Sequence, residues 1–240
     1  MPQLATGQDL LSKLFEDFDM ATRREVSIAS IWNRQHFRDV LASISVDGWL
    51  EFVDYLVYSL PPGTWHAQRR VDELNDILAL AGSEFTVGER DGSRGLVKRV
   101  PEGVAGAVSA IIGSTSSAGL LLAEAWHAMF GRNPDPEEAY EKAIKAVEQA
   151  GVSVVAPKNS RATLGTMIAD MSNQGGWDLP VETVGGSLAI GMARALWQGQ
   201  ESRHGGNGYR KPSQEEAETA VLLAVPLVQW FTSGTLSRRA

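Results

Sequence analysis

Residues 187–216 read SLAIGMARALWQGQESRHGGNGYRKPSQEE, and the fold is decided by how this stretch is read. Leu188, Met192, Ala195 and Leu196 recur at helical spacing, which predicts an apolar stripe along a helix. The stripe gives way to Gln198, Gln200, Glu201, Ser202, Arg203 and His204. Gly205, Gly206 and Gly208 come next, and glycine accepts backbone angles that end a helix. Ser213 predicts a new helix start. Its hydroxyl can cap free amides while Glu216 reaches back, the reciprocal capping-box arrangement. The stretch therefore reads as a helical hairpin, with Arg203 and His204 at its mouth beside a glycine-rich turn.

Working outward, helical periodicity continues in both directions. After the turn, Ala217, Ala220, Val221, Ala224, Val228 and Phe231 predict one apolar seam, interrupted by Pro226, where a kink is expected. Upstream, Asp135-Pro136 with Glu138 predicts a capped helix whose inner face is Ala139, Tyr140, Ala143, Ile144 and Val147. Ser160 is read as the cap of a helix burying Leu164, Met167, Ile168 and Met171. Residues 104–130 read as one long helix or two shorter ones, broken near Gly113-Ser114.

Toward the N-terminus, Leu10, Leu11, Leu14, Phe15 and Phe18 line one side of a short amphipathic helix. A second helix is expected over Arg23–Ile44. Trp49–Leu60, up to the breaker Pro61-Pro62-Gly63, reads as a helix or a buried strand, and the four-residue spacing of Phe52, Leu56 and Leu60 favours a third helix. A fourth spans Thr64–Ala81, with Val71, Leu74, Ile77 and Leu78 at helical spacing. Residues 84–100 differ in kind. Phe85 and Val87 alternate, Asp91-Gly92 signals a turn, and Leu96, Val97 and Val100 resume, so a β-hairpin is expected there as the one strand pair. The fold class expected is mainly α: a helical bundle with one small β-hairpin. The chain divides into an N-terminal helical region (1–82), the hairpin (83–100) and a C-terminal bundle (101–240).

Composition narrows the chemistry. Hydrophobic residues make up 43% of 240, enough for an ordinary packed core. With no cysteine, disulfides, thiolate metal sites and cysteine nucleophiles are excluded, which fits a cytoplasmic setting. The formal charge of −7 argues against bulk coating of nucleic acid but leaves room for a local basic patch. No apolar run is long enough to predict a membrane span, and the first residues do not read as a secretory signal. His36, His66 and His127 are scattered without ligand spacing, so neither a metal nor another cofactor is expected. The cluster GGNG lacks the Gly-Lys-Ser/Thr ending of a phosphate-binding loop, and no predicted strand precedes it.

In order, PEEAYEKAIKAVEQ (136–149), RATLGTMIA (161–169), a helix running into Arg203-His204-Gly205, and EEAETAVLLAVPLVQWF (215–231) resemble the abortive-infection C-terminal domain, a branch of the HEPN superfamily. The matching positions are Ala143, Ile144, Ala146, Val147 and Glu148, then Leu164, Gly165 and Ile168, then His204-Gly205. LNDILALAGSEFTVGERDGSRGLVKRV (74–100) is similar to the helix and hairpin preceding that domain. The resemblance implies a HEPN-like bundle, a homodimer, a defence-system partner protein, and metal-independent cleavage of RNA with His204 as the signature histidine. The family arginine has no counterpart at its usual place. Counting back five to seven positions from His204 reaches Gly199, Gln198 and Trp197, and the arginines at hand are Arg203 and Arg194.

The chemistry suits the residue types. Cleavage of RNA without a metal needs one group to take the 2′-hydroxyl proton and one to protonate the leaving oxygen. Histidine titrates near neutrality and serves either role. The crowded phosphorane needs positive charge, and the guanidinium fork matches phosphate oxygens. His204 and Arg203 are the candidate catalytic pair. Gln200, four residues before His204 on the same predicted face, is a candidate substrate ligand together with Arg194, Arg210 and Lys211. Adjacent helical residues point about 100° apart, so Arg203 and His204 meet one phosphate only where the helix has unwound. The plain alternatives are a helix-end histidine on free carbonyls and solvated cations. Trp177, in a glycine-rich stretch, is read as a residue that can stack on a base. Arg90, Arg94, Lys98 and Arg99 can extend a nucleic-acid track. Two other function classes stay open: a non-catalytic dimerising scaffold, and a self-assembling structural protein.

Overall fold

The computed structural model describes residues 7–23, 27–32, 40, 44–90, 92–112, 116–181, 185–199 and 210–238. It is mainly helical, with ten helices among the described residues and a small antiparallel hairpin. The chain forms two compact units, Met1–Leu96 and Val97–Ala240.

The first unit holds α1 (Gly7–Thr22), α2 (Ile28–Trp32), α3 (Val46–Tyr58), α4 (Trp65–Leu80) and β1 (Phe85–Arg90). The unit boundary falls inside β2 (Ser93–Lys98). The second helix does not begin at Arg23 as expected. Arg23 has φ 50°, and the Asp19 carboxylate takes the amides of Ile28 (3.0 Å) and Ala29 (2.9 Å) and the Ser27 hydroxyl (2.8 Å), so the chain turns before α2 starts. Phe15, Phe18, Ile28, Val40 and Phe52 are buried together, with Trp32, Trp49 and Tyr55 packed around them, while Leu11 turns outward at 37% exposure.

Thr64 caps α4, and Gly82, at φ 65°, closes it. The amides of Gly82 and Ser83 return to the carbonyls of Ala79 and Leu78. The inner face of α4 carries the hairpin: Asn75 Oδ1 accepts from the Val87 amide (2.8 Å) and the Thr86 hydroxyl (2.9 Å). From α3, the Asp54 carboxylate accepts from the Leu96 amide (2.6 Å) and lies 3.2 Å from the Arg90 guanidinium. Ile77, expected inside, is 62% exposed, because it lies off the inward stripe of Ala67, Val71 and Asn75.

The second unit contains α5 (Glu102–Ile112), α6 (Ser117–Phe130), α7 (Pro136–Val155), α8 (Leu164–Gln174), β3 (Trp177–Asp178), α9 (Gly185–Gln198), α10 (Gln214–Thr232) and β4 (Ser237–Arg238). The 104–130 region is thus two helices. The central helix is α7, which packs on α6, α8 and α10. Its apolar surface is wider than one stripe, since Ala139, Tyr140, Ala143, Ile144, Ala146, Val147, Ala150, Gly151 and Val155 are all buried. Gly151 leaves room for Phe231 of α10 and Met167 of α8, to which a Cβ would come within 3.1 Å and 3.4 Å.

The cap of α8 is Thr163 rather than Ser160. Residues 159–162 are spent in a turn in which Asn159 accepts from the amides of Arg161 and Ala162, which delays the helix. Pro226 lies inside α10 and offers no amide to the carbonyl of Leu222, which is partly exposed. The hairpin is not the one strand pair. β3 and β4 also pair antiparallel, with Trp177 opposite Arg238, a contact between distant segments that has no local turn signal.

Candidate functional site

The connection between α9 and α10 is the candidate site, and its ends are both held by the first turns of α7. At one end, the Tyr140 hydroxyl donates to the Leu196 carbonyl at 2.9 Å, in a buried position. The last carbonyls of a helix have no amide donor of their own, so the phenol supplies one. Gly199 follows directly. A Cβ there would lie 2.3 Å from the Tyr140 oxygen, so a glycine is what fits. Trp197 rests on Gly165 of α8, where a Cβ would come within 2.7 Å of the indole. Sequence reasoning assigned Tyr140 to the apolar face and gave no sign of its hydroxyl bond, since Leu196 lies far along the chain.

At the other end, Lys211 forms an ion pair with Glu137 at 2.9 Å. Hydrogen bonding to Glu137 comes first in raising the ammonium above its usual value, helped by the charges of Glu137 and Asp135. Arg210 grips Glu216 with both nitrogens, at 2.9 Å and 2.7 Å. Glu216 also accepts the Ser213 amide (2.8 Å), and Ser213 Oγ accepts the Glu216 amide (3.2 Å), completing the capping box. The Arg210 bonds, followed by the Ser213 amide, hold the Glu216 carboxyl down at about 2.

The candidate residues fall into two groups. Arg203, His204 and Gln200 lie outside the described residues. Arg194, Arg210 and Lys211 are described, and all three side chains reach for partners on the protein. Arg194 is exposed, with one guanidinium nitrogen 3.4 Å from the Ser172 hydroxyl of α8. Asp135, Glu137, Glu138, Glu215 and Glu216 gather at the N-terminal turns of α7 and α10, where carboxylates suit the helix dipole. The positive charge of Arg210 and Lys211 is therefore offset by acids from the first turns of α10 and α7.

Of the remaining candidates, Trp177 is packed inside and three hairpin cations meet partners on the protein. Trp177 is buried at 8% exposure, with its backbone against Gly186, and is not free to stack on a base. On the hairpin, Arg90 pairs with Asp54, Arg94 donates to Gln68 (3.2 Å), and Lys98 lies 3.9 Å from Glu218. Among the described residues no group of acidic or histidine side chains is arranged to hold a metal ion, and no helix is long and apolar enough to cross a membrane. Comparison with known protein families, curated proteins and solved structures gives no match to this chain.

Proposed function

We propose that the chain is a HEPN-like effector of phage defence that cleaves RNA without a metal, working at the α9–α10 connection. The observation that supports this reading is the double anchoring of that connection on one helix. Tyr140 bonds the end of α9, Glu137 pairs with Lys211, and Arg203-His204 falls between these two anchors along the sequence. In the reaction, His204 takes the proton of a ribose 2′-hydroxyl as its oxygen bonds to phosphorus. The 5′-oxygen leaves with a proton returned from an imidazolium, giving a 2′,3′-cyclic phosphate and a 5′-hydroxyl. Arg203 offsets the charge that builds on the phosphorane oxygens.

The test is incubation of purified protein with total RNA in chelator, comparing the wild type with His204→Ala and Arg203→Ala. Wild type yields cyclic-phosphate ends, and His204→Ala loses roughly 10²–10⁴-fold in rate. Equal rates for wild type and His204→Ala would remove the histidine from the chemistry.

One observation favours a second reading, a non-catalytic bundle that binds a partner protein. Arg210 and Lys211 already have carboxylate partners and would have to exchange them to meet phosphate. Under the nuclease reading, Glu137→Gln frees Lys211 and tightens RNA binding in a filter assay. Under the scaffold reading, neither protein retains RNA.

A further inference from the structure

The outer face of α4 is built to be self-complementary, and we infer that it pairs two copies of this chain in an antiparallel helix–helix contact. The inner face of α4 is spent: Ala67 and Val71 are buried, and Asn75 is bonded to the hairpin. The outer face carries large apolar side chains at both ends: Trp65 is 65% exposed at the start, and Ile77 and Leu80 are 62% and 89% exposed at the finish.

Between these ends the charges are sorted. His66, Arg69 and Arg70 occupy the first half, and Asp72, Glu73 and Asp76 the second. This order is the reverse of what a lone helix favours, because the dipole prefers anions near its N-terminus and cations near its C-terminus. The first turn has no acid and the last turn no base. Within the helix, Arg69 is taken up by Glu73 (2.9 Å) and by the Trp65 ring (5.9 Å), and Asp72 by Gln68 (2.9 Å). Arg70 and Asp76 have no ion-pair partner among the described residues.

A two-fold axis passing between Val71 and Asp72 resolves both features at once. Antiparallel alignment lays each basic half along the acidic half of the second copy, and Arg70 meets Glu73 across the axis. Trp65 and His66 of one copy then cover Ile77 and Leu80 of the other, and the two helix dipoles oppose. The contact is isologous, so each stabilising pair occurs twice. One pair of 16-residue helices is a small interface, so the dimer constant belongs roughly in the micromolar range. This surface lies in residues 65–80, apart from any pairing of the C-terminal bundle, and its failure leaves the RNA reading untouched.

The test is sedimentation of the full chain across a concentration series, for wild type, Leu80→Asp, Arg70→Glu and the double variant Arg70→Glu with Glu73→Arg. Leu80 and Arg70 are exposed, and circular dichroism checks that each variant keeps its helix content. Wild type shows a reversible dimer. Leu80→Asp weakens it by roughly tenfold or more, Arg70→Glu weakens it by a similar factor at low salt, and the double variant regains it. A wild type that stays monomeric at every concentration overturns the inference, as does a dimer that Leu80→Asp leaves unchanged. A double variant no better than Arg70→Glu alone overturns the two-fold charge pairing.

Discussion

The two units are filled by opposite means. In the first, the helices meet through rings: Phe15 stacks on Phe52 at 5.0 Å, Phe18 meets Phe52 edge-on at 5.1 Å, and Trp32 and Tyr55 close the cluster. In the second, the interior is largely alanine and valine. Ala139, Ala143, Ala146 and Ala150 on α7 and Ala217, Ala220 and Ala224 on α10 are all buried. Small side chains let long helices come close along much of their length, so cohesion is spread over many contacts. Large rings concentrate it in a few. The same hydrophobic effect therefore leaves the first unit sensitive to deletion and the second to insertion.

That contrast can be broken directly. Phe18→Ala empties a fully buried ring position and is expected to cost about 3–5 kcal/mol in denaturant unfolding. A cost near zero would mean that the ring cluster does not hold the first unit. Ala143→Leu pushes three extra carbons into a site with no exposed surface, and is expected to cost about 1–3 kcal/mol. If it proves neutral, the second interior is looser than its alanine content implies.

Tyr140→Phe sharpens the comparison from the polar side. It keeps the ring but leaves the Leu196 carbonyl without its donor, at about 1–2 kcal/mol, read by unfolding and by faster amide exchange at the end of α9. The smallest effect is expected from acid. Glu216 sits at about 2 in the fold against an ordinary 4.5, so its contribution is complete above pH 4.5 and fades as pH falls toward 2. Because the pair is exposed, Arg210→Ala should remove a modest, salt-sensitive acid dependence and little else. Lys211 has the opposite sign: its contribution holds below pH 10.5 and is lost as pH rises further.

Much of this fold was legible because its signals are local. The seam of α10, the capping box at Ser213 and Glu216, and the Asp135-Pro136 start of α7 are each written within a few residues. The misreadings share a cause. Ser160 lost its place as a cap to a turn organised by Asn159, and Ile77 stayed outside because it lies off the inward stripe of α4. Trp177 went inside because β4 returns from the far end of the chain to pair with it. The candidate site was legible only as a residue list. That Lys211 belongs to Glu137, and Leu196 to Tyr140, depends on how α7, α9 and α10 assemble, which no local spacing records.

The double tether on α7 has an entropic side. Leu196 and Lys211 are both bonded to the first turns of α7, through Tyr140 and Glu137, so α7 sets the distance that the joining chain must close. Each doubling of that chain's length costs only about 0.6 kcal/mol in closure entropy.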